Sequence, residues 1–132
     1  MQKRNARAER LKGEGSSAPT MRSTFPAVRV LRIGLTFGGS APNSPAPQLL
    51  ELHPAARAFF AFRCPYANCD GAFDLGGAVA RTIESGLQSS QGTLECSGLR
   101  ARTHSTREPC LLRLDFDVMP VYDPAPGEKP AR

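Results

Sequence analysis

A chain of 132 residues and 14.2 kDa has room for one hydrophobic core and not for two. Its 40% hydrophobic and 22% charged residues are too apolar for a wholly disordered chain, and no run reaches the roughly 18 apolar residues of a membrane helix, because Arg29 and Arg32 interrupt the best stretch. The net charge of +5 is uneven: residues 1–23 carry six basic against two acidic side chains, 24–122 nine Arg against eight acids, and 123–132 balance.

The opening MQKRNARAERLKGEGSSAPTMRS has no apolar central region and no small-residue cleavage site, so it does not read as a secretory signal. An Arg-rich helix or a transit-like segment is one reading, but its Gly, Ser and Pro after position 12 and its lack of large apolar residues favour a disordered basic tail over residues 1–23, with Met21 as an alternative start. The fold is expected over 24–122, followed by a disordered, Pro-rich tail over 123–132. In FPAVRVLRIGLTF, Leu31, Ile33, Leu35 and Phe37 lie on one face of a period-2 pattern, with Val30, Arg32, Gly34 and Thr36 on the other, which predicts a strand with one buried face. GGSAPNSPAPQ (38–48) is too rich in Pro and Gly for regular structure. LLELH and ARAFFAFRC read as two short strands bent at Pro54, and the Phe residues of the second predict a central position. Asp74 is placed to cap a helix whose apolar face is Leu75, Ala78, Val79, Thr82 and Ile83, with Gly86 as the stop. GTLECSG reads as a strand ending in a turn. CLLRLDFDVMPVY is the clearest strand, with Leu112, Leu114, Phe116 and Val118 on the core face and Arg113, Asp115 and Asp117 in water.

Four cysteines, Cys64, Cys69, Cys96 and Cys110, carry the chemistry. In a chain without a secretory signal an even number of cysteines reads as metal-binding, because the cytosol keeps thiols reduced; a cytoplasmic location is expected. In CPYANCDG, two thiols separated by a tight turn have the spacing of structural zinc ligands, and Gly71 leaves room for backbone N–H groups to approach sulfur. Cys96-Ser-Gly98 repeats the Cys-x-Gly of Cys69-Asp-Gly71. A disulfide such as Cys96 to Cys110, or ordinary buried thiols, are the competing readings, and His53 or His104 is an alternative fourth ligand.

These residues resemble the small zinc-ribbon and treble-clef-like proteins, in a bacterial stand-alone form. The resemblance covers about residues 62 to 112. It implies Zn²⁺ held by Cys64, Cys69, Cys96 and Cys110, with one departure: thirteen residues separate the last two cysteines where a ribbon has a second close pair. The expected fold is α+β, mostly β, a small antiparallel sheet with one short helix organised around the four-cysteine zinc site.

Enzymatic readings find little support. The His-x-Glu of zinc deaminases is missing, no Cys-x-x-Cys redox pair occurs, and neither Gly pair is followed by Lys-Ser or Lys-Thr. A Cys–His couple through His53 or His104 matches no known arrangement. Four thiolates would also leave a zinc ion no open position for water. The expectation is a non-catalytic, zinc-stabilised protein-interaction module in a larger assembly, with a protein partner. The alternative is nucleic-acid or ribonucleoprotein binding through the loop LRARTHSTRE, where Arg100, Arg102, His104 and Arg107 gather positive charge and Tyr66 or Phe73 is available to stack a base. The near-neutral body of the chain favours the former.

Overall fold

The computed structural model describes residues 2–39, 45–66, 68–101 and 106–123. Its framework is a pair of long antiparallel strands, β1 (Val28–Gly39) and β8 (Leu112–Tyr122), whose register sets Ile33 opposite Val118, Leu35 opposite Phe116 and Phe37 opposite Leu114. From Leu31 onward the alternation seen in sequence is realised: Leu31, Ile33, Leu35, Phe37, Leu112, Leu114, Phe116 and Val118 are buried, whereas Arg32, Thr36 and Arg113 face solvent; Val30, expected on the outer face, is instead buried beside the register shift between Val28 and Val30. On the outer edges lie β2 (Gln48–Leu52), beside β1, and β5 (Ser90–Glu95), beside β8, giving the antiparallel order β2-β1-β8-β5. The class is α+β and mostly β.

A second layer closes over the buried face. It holds the short hairpin of β3 (Ala61–Arg63) and β4 (Ala72–Asp74), the helix α3 (Gly76–Glu84), and the hairpin of β6 (Leu99–Ala101) and β7 (Arg107–Pro109). Phe73, Leu75 and Val79 from this layer join the strand residues in one core. The helix forms where its apolar face predicts, burying Leu75, Val79 and Thr82, and it stops at Gly86 with φ +68°. Asp74 Oδ1 accepts from the Gly76 N–H at 2.8 Å, just ahead of the N-cap residue Leu75.

Three expectations are corrected. The N-terminal segment is not a structureless tail up to residue 23. It contains α1 (Gln2–Ser17) and the single turn α2 (Met21–Thr24), so among the described residues helix is present ahead of the sheet as well as in α3. Met21 is 1% exposed, and the backbone around it is tied down by Met21 N–H to Ala56 O (2.7 Å), Arg22 N–H to Pro54 O (2.9 Å) and Ala58 N–H to Pro19 O (2.7 Å). One large apolar side chain with backbone pairing is enough to dock a segment whose composition alone argues for disorder. Second, the Phe-rich segment is not a central strand: only Ala61–Arg63 is extended, paired with β4 alone, because its aromatic rings lie over the sheet instead of within it. Third, β1 runs through Gly38 and Gly39, which pair with Arg113 and Leu112. The remainder of the predicted Pro-rich connection, residues 40–44, and the tail beyond 123 lie outside the described residues.

Candidate metal centre

Two β-hairpins bring the cysteines together. Cys64 follows β3 and Cys69 precedes β4, so both sit in one hairpin connection. Cys96 follows β5 and Cys110 precedes β8, so the β6–β7 hairpin is flanked by the other two. The unusual thirteen-residue spacing is therefore the length of a hairpin, whose antiparallel pairs are Leu99 with Pro109, Arg100 with Glu108 and Ala101 with Arg107. Pairing returns the chain so that Cys96 and Cys110 end as neighbours. Leu111, at φ 57°, turns the backbone between the Cys110 thiol and the fully buried Leu112, a left-handed conformation that costs on the order of 1–2 kcal/mol for a side-chain-bearing residue.

The four Sγ atoms lie within 4.8 Å of one another. Cys64 Sγ is 3.7 Å from Cys110 Sγ, and Cys69 Sγ is 3.6 Å from Cys96 Sγ. A tetrahedral ion with metal–sulfur bonds near 2.3 Å requires sulfur–sulfur separations of about 3.8 Å, so the donor set fits one. All four are unbonded thiols, between 0% and 3% exposed. The disulfide reading of Cys96 with Cys110 is not realised.

Backbone N–H groups converge on the sulfurs. Gly71 N–H donates to Cys69 Sγ at 3.3 Å and Gly98 N–H to Cys96 Sγ at 3.4 Å, so the repeated Cys-x-Gly forms two matching turns. Tyr66 supplies a backbone donor to Cys64. Such donors spread the negative charge of metal-bound thiolates. In the metal-free protein, burial pushes the Cys64 thiol well up and the Cys96 thiol up to about 12, with the Gly98 N–H opposing the shift at Cys96. An ion entering the site must displace those protons, and its charge supplies the compensation that water cannot reach in to give.

The two turns also touch directly. A Cβ on Gly71 would collide with Cys96 Sγ, and a Cβ on Gly98 would collide with the Gly71 backbone and approach Asp70 Oδ1 to 2.9 Å. Only glycine permits that approach. Around it the loop carrying Cys69 pairs with β6: Asp70 N–H to Leu99 O at 3.2 Å, Leu99 N–H to Asp70 Oδ1 at 2.8 Å, Ala101 N–H to Asn68 O at 3.0 Å, and Asn68 Nδ2 to Ala101 O at 2.8 Å. Asp70 and Asn68 escaped the sequence reading, since a carboxylate and an amide in a turn look the same whether they bond across to another hairpin or face water.

The expected partner-binding residues are placed unevenly. Arg100 lies 4.9 Å over the Tyr66 ring and 3.6 Å from Glu108, and its side chain is 15% exposed. It is held against the metal-centre loop and is not a free cation at the hairpin tip. Arg107 is exposed. Arg102 and His104 lie outside the described residues. Phe73, considered as a base-stacking residue, is 2% exposed in the core and is corrected to a packing role. His53 is 3.6 Å from Glu51 on the edge strand β2, in a pair remote from the thiols. No protein-family model matches this chain, and comparison with curated proteins and with solved structures gives no match. Among the described residues no helix is long and apolar enough to cross a membrane.

Proposed function

We propose that this chain is a zinc-stabilised, non-catalytic interaction module of the zinc-ribbon and treble-clef type, in which one Zn²⁺ on Cys64, Cys69, Cys96 and Cys110 fixes the β6–β7 hairpin as a presenting surface for a protein partner. The observation that carries the reading is the buried tetrahedron of four thiols. Soft thiolates select zinc over harder cations, and four of them close the coordination shell, which suits a structural ion and leaves no position for a reacting water. The strands that the ion would join are three residues each, too short to persist without it. The sequence between β6 and β7 is polar and contains Arg102, and Arg107, in β7, is exposed.

The test replaces Arg102 and Arg107 together by Ala and isolates the protein from its source cells by affinity. Loss of a co-purifying protein, with zinc content and melting temperature unchanged, supports the reading; retention of every partner contradicts the role of the hairpin. If RNA co-purifies instead, with binding that weakens steeply as salt rises, the nucleic-acid alternative replaces it.

A further inference from the structure

We infer that the free edge of β5 is a self-complementary interface on which a second copy of this chain pairs, extending the four-stranded sheet across a two-fold axis. The direction of its hydrogen-bonding groups follows from one contact. Cys96 N–H donates to Leu112 O at 2.8 Å, and because bonding alternates along an antiparallel pair, Ser90, Gly92 and Leu94 also bond to β8. Gln91, Thr93 and Glu95 therefore turn their N–H and C=O groups away from the sheet. Among the described residues those groups have no backbone partner.

Two such edges meet in one register without conflict. Centred on Thr93, the antiparallel pairing sets Gln91 opposite the partner's Glu95 on both sides of the axis, with about six backbone hydrogen bonds, two for each narrow pair. No carboxylate faces a carboxylate. On the inner face Leu94, half-buried in the single chain, lies opposite the partner's Gly92. Gly92 leaves the space where Phe116 sits, since a Cβ there would come within 2.5 Å of the ring. Leu94 would thus pack beside Phe116, which is 7% exposed in the single chain. A groove of about 660 Å³ between α3 and this strand, bordered by Gly77, Ala78 and Arg81, leaves the edge approachable.

The opposite edge of the sheet differs. On β2, only Leu49 and Glu51 turn outward by the same alternation, Glu51 is already paired with Arg32 at 3.0 Å, and Pro47 and Pro54 bracket the strand. Charge and proline of this kind block edge pairing. On β5 there is no proline, and its single charge falls opposite a glutamine.

Sedimentation equilibrium on the zinc-loaded full chain tests this directly. A species of twice 14.2 kDa is expected across the micromolar range. Gln91→Lys, which sets a cation opposite Glu95 of the partner subunit, should tighten the dimer, and Gln91→Glu should weaken it by about tenfold over the two symmetric pairs. Thr93→Pro removes a donor from each copy at the axis, where that N–H has no backbone partner in the single chain, and should yield monomer; the bond from Thr93 Oγ1 to Asp115 Oδ1 (2.8 Å) is lost with it. A monomeric wild type at all concentrations overturns the proposal, as does a dimer indifferent to both Gln91 changes. If Thr93→Pro fails to fold, the opposed Gln91 variants still decide.

Discussion

The β1–β8 pair and the cysteine-bearing hairpins are held together by different physics. The former runs for twelve and eleven residues in its two strands and buries ten apolar side chains, eight of them in unbroken alternation. Each buried side chain of that size contributes about 1.5–3 kcal/mol, enough to specify register and to resist slippage. The latter are strands of three residues whose cross-links are four sulfur atoms, two glycines in contact and four hydrogen bonds from Asn68, Asp70, Leu99 and Ala101. A region of many small, non-directional terms tolerates loss of any one of them. A region tied together by a single ion, as proposed for the hairpins, would not.

The sharpest way to break the comparison is Cys69→Ser, at the 0% exposed ligand. A structural zinc contributes roughly 10 kcal/mol or more of apparent binding energy, comparable with the whole stability of a small domain. The variant should lose its metal and its cooperative thermal transition; an unchanged melting temperature would show that the hairpins stand without the ion. In the sheet, Phe116→Ala should cost about 3–5 kcal/mol by denaturant unfolding while the metal stays bound, whereas Asp117→Asn, on the solvent face, should cost under about 0.5 kcal/mol. Equal costs would mean that the two faces of β8 have been exchanged. Met21→Ala should cost about 2–5 kcal/mol, and deletion of residues 1–17 much less, which measures where the fold begins. For Gly98→Ala a loss of about 1–3 kcal/mol is expected. That loss should appear with weakened competition against a zinc chelator, because the added methyl group separates the two Cys-x-Gly turns.

What was legible in the sequence follows the same division. Period-2 alternation in 31–37 and 112–118 is a direct imprint of burial on one face, so both central strands and these core residues could be read without the structure, whereas the register shift that buries Val28 and Val30 could not. The helix after Asp74 was equally readable from Leu75, Val79, Thr82 and Gly86. The candidate ligands could be named because thiols at Cys64 and Cys69 have a ligand spacing and Cys-x-Gly recurs. That Cys96 and Cys110 meet was not legible from spacing alone, since it depends on pairing of Leu99–Ala101 with Arg107–Pro109, a non-local event with weak alternation. The docking of Met21 was hidden for a similar reason: its partners, Pro54 and Ala56, lie more than thirty residues away and act through backbone groups that carry no composition signal. Arg100 was read as a surface cation because a sequence does not show that Tyr66 lies beneath it.

The central claim, that four thiolates close around one metal ion, is tested most directly by native mass spectrometry of the full chain purified without chelator. The account predicts one zinc per chain, with the mass showing that thiol protons have left on binding, and its removal by acid returning four alkylatable cysteines. A chain that carries no metal, or one whose mass reports a disulfide in place of free thiols, would contradict it.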